Sequence, residues 1–256
     1  MSNWRKIRIL WGLVALMFLG CDSQNAWDCV QSAGPIVQKE FSVEQFKKII
    51  IWNRVQLIVS SGTQRSVIVE TGENLMNDIL VRVEDSILKV SDRNSCNFTR
   101  EYGITKVYVT APVDSLEIRS SSGLPVLGQG PITFKKLTLI SEDREQEGEF
   151  HVDGDFIFDE LDVTQLIIFA NGTSKFFIKG RANSANIGLY DGDARVEAPE
   201  LEVRNLYLFH RSTNKMIVAP TNRIQGNIVG IGDVICLTRP PLEFVEETFT
   251  GQLIYQ

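Results

Sequence analysis

The sequence predicts an all-β fold: a parallel β-solenoid preceded by a β-hairpin region with one short helix. The first observation is a repeat. A short apolar alternation recurs at Leu116-Glu-Ile118, Leu137-Thr-Leu139, Leu166-Ile-Ile168, Ile187-Gly-Leu189, Leu206-Tyr-Leu208 and Ile228-Val-Gly230, with gaps of 21, 29, 21, 19 and 22 residues. The second is that each alternation runs into a polar or small turn, such as Ser120-Ser-Ser122, Ala170-Asn-Gly172, Asp191-Gly-Asp193 or His210-Arg-Ser212. The third is a second short strand after most turns, as in Val126-Leu-Gly128, Val152-Asp-Gly154, Ile178-Lys-Gly180, Val196-Glu-Ala198 and Val218-Ala-Pro220. Units of this length cannot bury an apolar face alone and must stack. The long gap holds a further alternating segment, Phe156 to Val163.

Ahead of the repeats, Val55-Gln-Leu-Ile-Val59 and Val67-Ile-Val69 flank Ser61-Gly62-Thr63-Gln64, which reads as a hairpin. Leu80-Val-Arg-Val83 and Ile87-Leu-Lys-Val90 flank Glu84-Asp85-Ser86 and read as a second one. Between them, Leu75, Met76 and Ile79 have the spacing of one short helix. Lys106-Val-Tyr-Val-Thr110 leads through Ala111-Pro112 into the repeats, and Pro112 marks a corner. No Gly/Ser linker separates the halves, so one continuous core is expected.

The first residues have a different character. Arg5, Lys6 and Arg8 precede the uncharged apolar run Ile9 to Leu19, which is shorter than the roughly 20 residues of a membrane span. Gly20 before Cys21 resembles a bacterial lipobox, in which the cysteine is acylated and becomes the new N-terminus. Residues 1–20 are therefore expected to be a lipoprotein signal peptide and 21–35 a tether. Stable anchoring comes from more than one acyl chain. The full chain carries −6; removing residues 1–20 leaves 23 cations against 32 acids, a net charge of −9. Such a body is a poor match for nucleic acid. The membrane would be reached through lipid.

Of the other cysteines, Cys29 and Cys96 lie in polar stretches and suit a disulfide that clips the lead-in to the domain. Cys236 sits in an apolar strand as a small buried hydrophobe.

Val55-x-Leu57 followed by Gly62, Val67-x-Val69, Glu73-Asn-Leu75, Ile87-Leu-Lys-Val90, the repeats, Gly230-Ile-Gly232-Asp-Val234 and the Arg239-Pro240-Pro241 exit resemble the head GIN domain family. The likeness spans roughly residues 36 to 241, divided into non-repetitive strands (36–111) and rungs (112–241), with 242–256 as a capping tail. It implies a right-handed β-solenoid, an adhesin-like role and no established catalytic residues. Many relatives carry Ser-Gly-rich turns, where this chain has Asp-Gly-Asp or His-Arg-Ser.

Chemistry-bearing motifs are few. His151 and His210 fall in no HxxH or HExxH spacing, and there is no Gly-x-Ser-x-Gly elbow, Walker loop or dinucleotide fingerprint. Asp153-Gly-Asp155 and Asp191-Gly-Asp193 offer oxygens for calcium, but they lie at different points of the repeat and turn chemistry is the favoured reading. Lys175, Arg195, Arg211 and Lys215, with Tyr190, Tyr207 and His210, fall shortly after successive turns and could line a ligand face for an anionic glycan. Asp85-Ser86-Ile87 and Asp114-Ser115-Leu116 are similar to the acceptor triplet of bacterial O-glycosylation.

The expectation is thus a lipid-anchored protein of the bacterial cell envelope, at the outer membrane and facing either the periplasm or the cell surface. It would have no cofactor and a non-catalytic binding, adhesion or structural role toward a glycan or envelope protein. The alternatives are a solenoid enzyme acting on an acidic glycan and an accessory subunit of an envelope complex.

Overall fold

A computed structural model describes residues 31–94, 101, 103–142 and 152–256. The chain is all-β. Its strands join in one curled, mixed sheet, and the order follows from which edges remain free.

The N-terminal part contains β1 (Ile36–Glu40), β2 (Lys48–Trp52), β3 (Gln56–Ser61), β4 (Ser66–Gly72), a 3-10 helix (Glu73–Asp78), β5 (Ile79–Glu84), β6 (Ile87–Asp92) and β7 (Lys106–Ala111). The β5–β6 hairpin forms as expected, with Glu84 opposite Ile87. Asp85 and Ser86 both take positive φ, +51° and +62°. This is the left-handed pair that a two-residue hairpin of the right twist demands.

The expected hairpin of β3 and β4 does not form. β3 runs parallel to β7 on one edge and to β9 (Val126–Gly128) on the other. With both edges of β3 taken, β4 pairs antiparallel with β7, and β1 then pairs antiparallel with β4. The Gly62 turn is real, but a turn in sequence does not name a strand's partner. These antiparallel pairs make the sheet mixed rather than parallel throughout.

From β8 (Ser115–Ser121) onward the pairing is parallel. β10 (Lys136–Ser141), β11 (Phe156–Ala170), β12 (Lys175–Leu189), β13 (Arg195–His210), β14 (Met216–Ile228), β15 (Val234–Cys236), β16 (Leu242–Glu247) and β17 (Leu253–Tyr255) complete the fold. The long strands each serve two ladders. Ladder A joins β6, β2, β8, β10, the C-terminal halves of β11 to β14, and β16. Ladder B joins β7, β3, β9, the N-terminal ends of β11 to β14, β15 and β17. Register shifts after Phe158 and Phe177 bend the long strands between the two ladders. There, Leu161 to Val163, Gly180 to Ala182 and Leu201 to Val203 form a short third run.

Strand periodicity sends alternate residues to opposite faces. On ladder A the inward column reads Leu116, Leu137, Leu166, Ala185, Leu206, Ile224. On ladder B it reads Val126, Phe156, Phe176, Val196, Met216, Val234. All are buried, and the Phe156 and Phe176 rings stack at 4.8 Å. Apart from the small Ala185, each such side chain contributes roughly 1.5–3 kcal/mol through burial.

The sequence alignment of repeats was displaced in two places. Ala185, not Ile187, aligns with Leu166, and Ile224, not Ile228, aligns with Leu206. The displacements are two and four residues, so the inward parity is the one expected. Val152-Asp-Gly154 is not a strand; Phe156 begins that rung on ladder B.

In the last rung, Glu243 and Glu247 stand where Ile224 and Ile228 stand one rung earlier. The Tyr255 hydroxyl donates to Glu243 Oε2 at 2.5 Å, and Glu247 Oε1 accepts the Leu253 amide at 2.7 Å. Burial and this bond to a carboxylate push the Tyr255 pKa well above its usual value. Charged groups at an open sheet edge discourage pairing with another chain.

Candidate functional site

The outer face of ladder A carries three exposed rings, Tyr190, Tyr207 and Phe244. Outward residues there form two columns. One reads Arg119, Ile140, Phe169, Gly188, Phe209, Asn227; the other reads Glu117, Thr138, Ile167, Asn186, Tyr207, Gln225, Phe244. Gly188 leaves a gap in the first column. Tyr190, two residues on at the start of the turn, folds back over it. Its ring lies 5.6 Å from Phe169 on one side and 5.6 Å from Phe209 on the other, tilted by 43° and 33°. Tilted rings at this separation attract one another beyond the area they bury.

The result is a continuous aromatic ribbon across successive strands. Tyr190 is 41% exposed, Tyr207 41% and Phe244 56%. Arg223 sits over the Phe244 ring at 5.4 Å and donates to Gln225 Oε1 at 3.0 Å. Asn227 Nδ2 donates to Glu246 at 3.1 Å. The outer column of ladder B reads Ile58, Leu127, Ile157, Phe177, Glu197, Ile217, Ile235, and these side chains are half-buried, without an exposed ring among them.

The residues expected to form one ligand face are dispersed. Lys175, Arg195 and Lys215 do align, but at the edge of ladder B rather than beside the tyrosines. Asp155 and Asp233 continue the same column at either end. Arg195 is committed to Glu197, and the Lys175 amide donates to Asp155 Oδ1 at 3.0 Å. Only Tyr190 and Tyr207 belong to the outer face of ladder A, with exposed Arg211 at its corner one rung beyond Tyr190.

His210 is not on a surface. It follows Leu206 and Leu208 in the inward parity, is 0% exposed and lies between Leu189 and Ile228. Among the described residues neither ring nitrogen makes a hydrogen bond of regular geometry, although the backbone of Asn214 and Gly232 lies close. Burial pushes its pKa down, opposed by the nearby backbone of Asn214 and Gly232 and by the Asp233 carboxylate.

The Asp-Gly-Asp carboxylates have turn partners. Asp193 accepts from Thr213 Oγ1 at 2.6 Å and Asn214 Nδ2 at 3.2 Å, and Asp191 accepts from the Gly192 amide at 3.0 Å. Among the described residues, no group of three or more His, Cys, Asp or Glu could hold a metal ion. Cys236 is buried and free, with its thiol donating to the Thr238 carbonyl at 3.1 Å. Cys21, Cys29, Cys96 and His151 lie outside the described residues.

A shallow groove of about 580 Å³ follows the third run. Asp162, Arg181, Glu202 and Arg204 line it, with Arg181 bound to Asp162 at 2.9 Å.

The model of the head GIN domain, described as a putative auto-transporter adhesin, matches residues 45–240. The chain belongs to the head GIN domain family. Among solved structures, this head GIN domain is similar to a putative adhesin from Bacteroides fragilis, with TM-score 0.74 and 16% identity over 88% of this chain and 99% of that one. A putative adhesin from Parabacteroides distasonis gives 0.64 and 15%, covering 88% and 99%. A putative lipid binding protein from the same species gives 0.61 and 14%, covering 86% and 97%. At these identities the likeness is one of fold. No curated protein matches the chain. No helix among the described residues of the head GIN domain is long and apolar enough to cross a membrane.

Proposed function

We propose that this head GIN protein is a non-catalytic binding module of the bacterial cell envelope. It is anchored by lipid at Cys21, its ladders wind as a right-handed β-solenoid, and it contacts its ligand through the outer face of ladder A. The observation that carries the reading is the Phe169–Tyr190–Phe209 ribbon. Tyr190 is exposed between the half-buried Phe169 and Phe209, and a ligand that covers this apolar surface gains by burying it. The parallel ladders and the short third run support the solenoid reading, and the apolar run before Cys21 supports the anchor. Residues 1–20 are then the signal peptide, 21–35 the tether and 36–241 the module, closed by 242–256.

The test uses isolated envelopes and detergent-solubilised protein. Substitution of both Tyr190→Ala and Tyr207→Ala is expected to abolish retention on immobilised envelope material while circular dichroism stays unchanged. Undiminished retention would refute the surface assignment. Intact mass of the wild type against Cys21→Ala tests the anchor: a lipid-sized increment belongs only to the former.

A further inference from the structure

Resting on that reading, we infer that the aromatic surface takes a neutral polysaccharide, whose chain runs across the strands along the Phe169–Tyr190–Phe209 ribbon. A pyranose ring has C–H-rich faces and a rim of hydroxyls. It needs a ring surface to stack on and uncharged hydrogen-bonding groups to the side.

Ladder A presents both. The ribbon advances in steps of 5.6 Å, close to the roughly 4.8 Å spacing of strands. In the parallel column, Asn186 and Gln225 flank Tyr207 in register, so amides stand on both sides of an exposed phenol ring. Amides and phenols both donate and accept, as a hydroxyl rim requires.

Charge argues for a neutral chain. Arg223 is held by Gln225 and the Phe244 ring, Glu246 by Asn227, and Glu117 and Arg119 head the two outward columns, so among the described residues charges of both signs border the patch. Arg211 adds a single exposed cation at the corner, set against a net charge of −6 for the whole chain. An anionic polymer would meet that field without a cationic track. The Lys175, Arg195 and Lys215 column ends on Asp155 and Asp233 and lies on the other ladder. A protein partner would anchor side chains in pockets. On ladder A, Tyr190 itself fills the gap above Gly188.

Affinity electrophoresis of the full-length protein through gels containing a β-glucan, a mannan, a dextran or polygalacturonate tests this. Stacking on a ring face tolerates changes of linkage and side group. Retardation is therefore expected with at least one neutral chain and not with polygalacturonate alone. Tyr190→Ala should weaken it about tenfold and Tyr190→Phe should preserve it, as stacking platforms behave on truncation. Retardation by none of the neutral chains, or equal retardation of Tyr190→Ala, overturns the inference. Envelope material treated with periodate or with protease separates the two levels. Tyr190-dependent retention lost only on periodate supports the inference. Tyr190-dependent retention lost only on proteolysis overturns it while leaving the surface assignment standing. Retention indifferent to Tyr190 removes both.

Discussion

Tyr190 occupies the space that a side chain on Gly188 would need. A Cβ built at Gly188 would come within 2.7 Å of Tyr190 Cζ and 2.8 Å of its hydroxyl. The ring bridges Phe169 and Phe209 because the residue between them in register has no side chain.

Gly188→Ala is therefore expected to displace the ring while sparing the fold. The obstructing atoms are the far end of a side chain at the surface, which can swing away. The stability loss should stay near 1 kcal/mol or less, the usual scale for a surface change. Ligand retention should fall as in Tyr190→Ala. Urea unfolding and retention measured side by side check it. A ligand affinity equal to wild type would show that the ring's position is irrelevant.

Gly226→Ala should behave in the opposite way. Gly226 has φ +143°, and a Cβ there would sit 1.8 Å from the Leu208 carbonyl oxygen, part of the adjacent strand. Neither the backbone conformation nor the neighbour can yield cheaply, so about 2–4 kcal/mol of stability should be lost. A shift of the urea midpoint with little change in slope is the expected signature.

His210 gives a pH dependence with a definite sign. Burial holds its folded pKa below the unfolded value of about 6.5. The unfolded state then binds the proton first, so stability is full above that value. It declines as pH falls from about 6.5 toward the folded pKa. His210→Leu, which continues the Leu189 and Ile228 column, should remove this slope. Urea midpoints at about pH 7.5 and about pH 5.5 should converge in the variant; an unchanged difference between them would assign the slope elsewhere.

The Cys29–Cys96 bond is an expectation from sequence, and both cysteines lie outside the described residues; the nearest described polar side chains on either flank reach one helix. Gln31 Nε2 donates to the Asn74 carbonyl at 3.1 Å, and Asn94 Nδ2 donates to the Leu75 carbonyl at 3.2 Å. Both chain segments are thus fastened to consecutive residues of the 3-10 helix, each two positions from its cysteine. A non-reducing peptide map should recover the linked pair, and Cys29→Ser with Cys96→Ser should cost about 2–4 kcal/mol. Alkylation of both thiols in oxidised protein would exclude the bond.

Deleting residues 246–256 should promote aggregation. It removes β17 and Glu247, uncovering the edge of β15 and the inward Val234 and Cys236. Static light scattering of the truncated chain checks this; a monodisperse monomer would mean that the Glu243 end needs no further cover.

Strand parity was readable because period-two alternation survives small errors of alignment. Leu166, Ile187 and Leu208 were all placed inward although the matching of rungs was displaced by two residues. The small Ala185 hid the true partner of Leu166. His210 shows the opposite failure. Its chemistry suggested a turn, while its parity with Leu206 and Leu208 placed it in the core. The partners of β3 and β4 were not legible, since pairing depends on edges that strands distant in sequence occupy. Nor was the ribbon: Phe169, Gly188 and Phe209 read as ordinary strand residues until neighbouring strands brought them together around Tyr190.

The central claim is that the rings of ladder A, and not the cations at the edge of ladder B, meet the ligand. The most direct measurement compares binding of one envelope preparation by wild type, by Tyr190→Ala and by Lys175→Ala with Lys215→Ala. The expected result is a loss of about tenfold for Tyr190→Ala and less than about twofold for the lysine variant. The reverse order would contradict the assignment and return the ligand to the column of Lys175, Arg195 and Lys215.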